Sequence, residues 1–451
     1  MNLESWFFEG LTGEIVTPKT PEYEESRQEW NRAINKFPLV IVYCGDKQDV
    51  ANAVRWARKR CVPIRIRSGG HHYEGYSTGN CVLVIDISRL NRLELDREKN
   101  LLRMEAGAKN TAVYDLVGSN GYAFPGGTCP TVGVSGFTLG GGWGYSSRLL
   151  GLGCDSLLEL ELVNDQGKLI KANKDTNADL FWACRGAGSG NFGVVVGMTF
   201  QLPEPHNPTV TLVQFFYVGT TKDKQANVMD IWQKWLPDLD PRMTVVASFY
   251  NAEGEGLGIF ARGFFYGTPA EASALLQPFS AVEGYREELE ASSFLEAVKK
   301  VEATYPPSEK FKSTGRFVQR IYSGKELSNI ADLVQHPAEG SVYAAVSFYA
   351  MGGAIESVGK RDTAFFFRDA RYILGIQSVW TDDCVAKVNR EWVQERFQSI
   401  KPITRGSFVN FPISNLPNYE REYFGGNAPA LNRINRKYDP FNVFTFPQGL
   451  K

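Results

Sequence analysis

Histidine is scarce in this chain. Only His71, His72, His206 and His336 occur, with no HExxH or HxH spacing, so a histidine-rich metal centre is not expected. The seven cysteines, at 44, 61, 81, 129, 154, 184 and 384, include no CxxC pair, and their number is odd. That leaves little basis for a disulfide framework or a zinc site. Net charge is nearly absent, with Lys+Arg 49 against Asp+Glu 50, which argues against a general nucleic-acid or anionic-membrane binder. Residues 1–13 lack the basic-then-apolar pattern of a signal peptide, so a cytoplasmic protein is the default expectation. Residues 116–147 carry no charge at all, yet ten Gly and two Pro interrupt them, so they make no membrane helix.

Glycine and aromatic residues are plentiful instead: 44 Gly, 29 Phe, 19 Tyr and 9 Trp in 451 residues. Such glycine content implies many close backbone approaches, and the rings must fill a core or line a pocket. With 43% hydrophobic and 22% charged residues the composition is globular. At roughly 150 residues per domain, two or three domains are expected. Residues 39–44 and 63–67 read as strands around an amphipathic helix at 48–60, a β-α-β unit. Further strands are expected at 81–87, 101–106 and 194–202, a short helix at 111–119, and a hairpin joining 157–163 to 168–172 through Asp165-Gln166-Gly167. Pro203, Pro205 and Pro208 mark a boundary. Beyond it, strands near 210–218, 243–250, 257–266, 342–350 and 371–380 alternate with helices near 223–236, 269–279 and 384–399. That pattern is an antiparallel sheet backed by helices, giving an α+β protein overall.

Three loops carry chemistry. Arg67-Ser68-Gly69-Gly70-His71-His72-Tyr73 follows a strand, and its glycines and hydroxyl suit a pyrophosphate. The same residues also fit a tight turn with a surface histidine pair. In the second loop, Gly126-Gly127-Thr128-Cys129-Pro130-Thr131-Val132-Gly133 and the glycines to Gly144 would let a planar ligand lie on main chain. A lone cysteine is ordinarily a small buried hydrophobe, but embedded in this loop Cys129 reads as functional. The third loop, 185–193, matches GxGxxG, yet it precedes a strand-like Val194-Val195-Val196 run. A dinucleotide fingerprint must open a helix, so a nicotinamide enzyme is the weaker reading.

Those loops, together with Phe181-Trp182-Ala183-Cys184-Arg185-Gly186, Asn191-Phe192-Gly193 and the tail Tyr438-Asp439-Pro440-Phe441-Asn442-Val443-Phe444, carry a resemblance. The chain resembles the berberine bridge enzyme-like flavoproteins, a family that includes oligosaccharide oxidases, within the vanillyl-alcohol-oxidase superfamily. The likeness spans nearly the whole chain and is strongest in 38–204 and 423–451. It implies a two-domain FAD-binding PCMH-type fold: an FAD domain at 1–204, a substrate domain at 205–405 with its sheet over the flavin, and a C-terminal segment at 406–451 that returns to the FAD domain.

Matched motif to motif, the resemblance implies FAD bound through His71 (8α-histidyl) and Cys129 (6-S-cysteinyl). His72 is the rival for the histidyl bond. It implies further cofactor contacts from Arg67, Ser68, Gly69, Gly70 and Ser77, from Thr128, Val132, Gly133 and Gly136, and from Gly140, Gly141, Gly142 and Tyr145. Gly193, Val195, Tyr423 and Asn427 complete the set, although the last two also fit packing and a helix cap. Val132 resembles an oxygen gate and equally fits a core position. The family's acid–base phenols are missing: Phe408-Val409-Asn410-Phe411 stands where relatives carry a Tyr motif, and Trp143 replaces another Tyr. Tyr73 and Gln377 remain as the matched catalytic positions, with Gln377 unable to act as a base. The implied activity is an FAD oxidase using a small-molecule alcohol and O2, as a monomer or homodimer. The alternative is a slow dehydrogenase or a degenerate FAD-binding protein.

Overall fold

In the computed structural model, which describes residues 7–451, the β-α-β reading holds. Val40–Tyr43 and Ile64–Arg67 flank the helix Lys47–Arg60. Asp46 caps that helix by accepting from the Asp49 amide, and Arg58, Lys59 and Arg60 sit at its negative end. Its Val50, Ala53, Val54 and Ala57 face the core. The two strands are not neighbours, however. Leu83–Asp86 lies between them, parallel to both, and Glu14–Val16 closes the sheet antiparallel. A second sheet runs in the order Leu93–Asp96, Leu101–Glu105, Val194–Gln201, Leu157–Val163, Leu169–Asn173, antiparallel throughout. The expected hairpin turn is present, with Gly167 at φ +69°.

The third sheet has seven antiparallel strands: Tyr285–Ser293, Thr209–Tyr217, Gly256–Phe265, Met243–Ala252, Ser341–Ala350, Tyr372–Trp380 and Lys310–Val318. Phe215, Phe249, Phe348 and Leu374 on one face pack with Trp232 and Phe279 of the backing helices Lys222–Trp235 and Pro269–Ser280. The sequence indicated the five inner strands and missed both edges. Tyr285–Ser293 carries Arg286, Glu287, Glu288 and Glu290, the charge that protects an exposed edge and erases apolar alternation. Lys310–Val318 hides Lys312 and Arg316 among ion pairs with Glu74 and Glu422. The helices Phe294–Glu302 and Gly324–Asp332 were also missed, although each opens with a Ser/Glu capping box, Ser293 with Glu296 and Ser323 with Glu326.

After the last long helix, Ala386–Ile400, the chain returns to the first two sheets. Tyr423, Phe424, Leu431 and Phe444 join their core. Asn435 donates to the Asn191 carbonyl at 2.7 Å, and the Tyr438 hydroxyl donates to Asp179 at 2.8 Å. No helix among the described residues is long and apolar enough to cross a membrane.

Candidate active site

A cavity of about 630 Å³ opens where the three glycine loops meet the inner face of the seven-stranded sheet. Ser68–Tyr73, Thr128, Cys129, Val132, Gly133, Gly136 and the 187–191 loop form one side. Phe311, Tyr343, Tyr349 and Gln377, from three strands of the sheet, form another, and the tail residues Thr445, Phe446 and Gln448 complete the wall.

Two residues distant in sequence converge here on one hydroxyl. Thr131 Oγ1 lies 2.8 Å from His71 Nε2 and 3.8 Å from Cys129 Sγ. The His71 ring stacks on Trp30, with centroids 5.0 Å apart and planes at 23°. Burial, aided by Lys109, holds the His71 imidazole down at about 3, so it is neutral at ordinary pH. Burial pushes the Cys129 thiol up, but the Thr131 and Val132 amides and the Thr131 hydroxyl work against that by favouring the thiolate. His72 is turned to its own loop: its Nδ1 accepts from the Glu74 amide at 3.2 Å, and its ring lies 4.7 Å from that of Tyr76. Burial lowers His72 as well, to about 4.

The loops fit a large anionic, planar group. The amides of Gly69, Gly70, His71 and His72 donate to no other group among the described residues, which leaves a run of unpaired backbone donors in residues that line the cavity. A Cβ at Gly69 would stand 2.3 Å from the Gly133 nitrogen, so only glycine lets the first two loops touch. At Gly136, on the wall, a Cβ would meet nothing within 4 Å. It would project into the cavity, which makes this glycine a floor for a ligand. Gly136→Leu is expected to fold normally yet retain about a tenth or less of the wild-type flavin per chain, read by absorbance after gel filtration.

Of the residues singled out in the sequence, Ser68, Gly69, Gly70, His71, His72, Tyr73, Ser77, Thr128, Cys129, Val132, Gly133, Gly136, Gly193, Val195 and Gln377 line the cavity. Others stand one layer behind. Arg67 is turned away, 2.5 Å from Asp86. Gly140, Gly141 and Gly142 pack against Asn410, Phe365 and Phe137. Tyr145 packs on Phe264, at 5.3 Å between centroids. Tyr423 donates to Gln448, a wall residue, at 3.0 Å. Asn427 ties down the Lys360, Thr363 and Ala364 carbonyls. Phe408 is buried between Phe317 and Phe365, whereas Phe411 lines the wall and stacks on Tyr73 at 5.3 Å. Trp143 lines it too, its indole N–H held by the Ala350 carbonyl at 2.7 Å.

The sequence reading missed Trp30, Tyr305, Glu309 and the tail residues Thr445, Phe446 and Gln448, all on the wall. The segment Tyr305-Pro306-Pro307-Ser308-Glu309 offered one signal, a stiff Pro-Pro pair just before a strand.

A glycine-lined cavity with an array of free amides, a neutral histidine and a cysteine beside them, and a sheet closing over it fit a flavin-binding oxidoreductase. The sequence comparisons agree. Residues 38–173 match the FAD binding domain family, and 407–451 match the berberine and berberine-like family. The chain is 36% identical over 449 residues to the FAD-linked oxidoreductase YgaK of Bacillus subtilis, covering 98% of this chain and 97% of that one. The structure of BBE-like 1 from Physcomitrella patens matches with TM-score 0.90 at 25% identity, over 100% of this chain and 99% of the other. Glucooligosaccharide oxidase from Acremonium strictum shares the fold, with TM-score 0.89 at 21% identity over 97% of each chain. The protein therefore belongs to the berberine bridge enzyme-like family of FAD-linked oxidoreductases.

Proposed function

We propose that the protein is an oxidase whose FAD is bonded to both His71 and Cys129. Its substrate is a carbohydrate or glycosylated metabolite, oxidised at an alcohol or hemiacetal carbon, and its electrons pass to O2 to give H2O2. The observation that carries this reading is the meeting of His71 and Cys129 at the Thr131 hydroxyl. The flavin of the structurally similar glucooligosaccharide oxidase is described as 6-S-cysteinyl, 8α-N1-histidyl FAD, which supports the same pair of attachments here.

Bound FAD would supply the two-electron acceptor, and the chain supplies everything else. The Gly69–His72 amides would donate to its phosphate oxygens, and Gly136 would leave room for its ring. When His71 Nε2–H donates to Thr131, the Nδ1 lone pair is left free to form a bond. Val132, half-buried on the wall, is a small apolar side chain that would leave room for O2 beside the flavin. Burial keeps the Tyr73 phenol protonated, so it serves as a donor to the substrate hydroxyl, while Gln377 orients that hydroxyl from the sheet.

Thr131→Val removes the shared hydroxyl. Covalent flavin is expected to fall about tenfold, matching the loss of one charge-tuning hydrogen bond, and Thr131→Ser to restore it. Intact-protein mass after denaturation reads both. The function itself is tested by mixing holoenzyme anaerobically with glucose, cellobiose and xylobiose, then admitting air. Bleaching of the flavin followed by peroxide release is the expected result. Bleaching without peroxide would make the enzyme a dehydrogenase, and no bleaching with any alcohol would refute the reading.

A further inference from the structure

Among the described residues on the cavity wall one carboxylate has no part in the function proposed above. Glu309 lies on the wall just ahead of the edge strand Lys310–Val318. Its backbone is clamped on both sides, its amide donating to the Trp30 carbonyl at 3.3 Å and its carbonyl accepting from the Arg32 amide at 2.8 Å. Pro306 and Pro307 stiffen the approach. The Glu309 backbone is thus fixed next to that of Trp30, whose ring stacks on His71. Its only side-chain hydrogen-bond partner among the described residues is the Gln377 amide, at 3.5 Å.

The groups around it leave the carboxylate uncompensated. The phenols of Tyr73, Tyr305 and Tyr343 face it, and all three are pushed up by burial, Tyr305 to about 12. The cations on adjoining elements are engaged elsewhere. Lys310 is paired with Asp383 at 2.9 Å, Lys312 with Glu74, and Arg262 bonds Thr304 at 2.9 Å. Burial alone raises the Glu309 carboxyl, to about 7. His71 and His72 are neutral far below that pH, and the wall phenols ionise far above it.

We propose that Glu309 is the proton acceptor of the reductive half-reaction, positioned by Gln377. The inference rests on the alcohol-oxidising function proposed above. In the step, the substrate O–H bond breaks and its proton passes to the Glu309 carboxylate. The C–H electron pair leaves as hydride to the bound flavin, so the substrate loses two electrons and the flavin gains them. The C–O single bond becomes a carbonyl. Gln377 holds the carboxylate while its own amide neither takes nor gives the proton.

The test compares wild type, Glu309→Gln and Glu309→Asp as flavin-loaded holoenzymes, using the alcohols above as probes. In wild type the anaerobic reduction rate should climb about tenfold per pH unit on the acid side and level off at about 7. Glu309→Gln should keep its covalent flavin and spectrum but reduce more than about a hundredfold more slowly, with that acid limb gone. Glu309→Asp, which preserves a carboxylate if the amide disturbs folding, should keep the limb at a lower rate. Difference infrared spectra of oxidised wild type against Glu309→Gln should show a protonated-carboxyl band titrating away at about pH 7. Wild-type flavin that is reduced no faster than that of Glu309→Gln, with the same limb, would overturn the role of Glu309 and leave the oxidase reading standing. An ionised Glu309 throughout the acid limb would do the same. Wild-type flavin untouched by every alcohol would overturn both.

Discussion

Replacing His71 and Cys129 together by alanine is expected to give a folded protein whose FAD washes out completely on acid denaturation, whereas either single replacement keeps FAD attached. The contrast is nearly all against nearly none, because in the proposed double attachment each bond alone would hold the cofactor. The two side chains sit on different loops, and both loops reach the cavity with Thr131 between them. Neither depends on the other for its fold: His71 is fixed by its stack on Trp30, and the Cys129 carbonyl is fixed by the Asn110 side-chain amide at 2.9 Å. His71→Ala should therefore leave a cysteinyl flavin and Cys129→Ala a histidyl one, distinguishable by absorbance. If His71→Ala alone released the flavin, the cysteinyl bond would be refuted. If His72→Ala and Cys129→Ala together released it, the histidyl bond would belong to His72.

Arg67→Met should cost about 3–5 kcal/mol, because it strands buried acid without its cation. Arg67 is 5% exposed and Asp86 2%. The guanidinium Nε lies 2.5 Å from Asp86, and a second nitrogen lies 3.8 Å from Glu29. Burial works against the guanidinium charge, but Asp86 and Glu29 outweigh it and keep it protonated. Burial raises Glu29 in turn. Removing both charges avoids the orphan, so Arg67→Met with Asp86→Asn should recover much of the loss. Denaturant midpoints of the flavin-free proteins measure both variants. An Arg67→Met midpoint equal to wild type would show that the pair contributes nothing. The consequence reaches the site, since Arg67 ends the strand from which the Ser68–His71 loop departs.

The parts of the site legible in sequence were those written contiguously. The Ser68–His72 and Thr128–Gly136 loops each combine glycines with a nucleophile in a few residues, and both reach the cavity wall. The third loop leads into a strand, Val194–Gln201, and not into a helix, yet its residues 187–191 line the same cavity. Glycine content misled in one place. Gly140 is glycine because a Cβ would stand 1.8 Å from Asn410 Oδ1, and Gly141 and Gly142 take φ of +111° and +86° beneath Phe365 and Phe137. These are packing demands one layer behind the cavity wall, and composition alone does not separate them from contact. Glu309 was illegible for a different reason. Its significance comes from lacking a charged partner, and that is a property of its tertiary surroundings. The strand it introduces also hides its buried positions behind Lys312 and Arg316.

Tryptic digestion of the wild-type holoenzyme tests the central claim most directly. A single flavin-containing species is expected, in which one FAD joins the peptide carrying His71 to the peptide carrying Cys129, and fragmentation places the bonds on those two residues. Flavin on one peptide only, or flavin recovered free of peptide, would contradict the account.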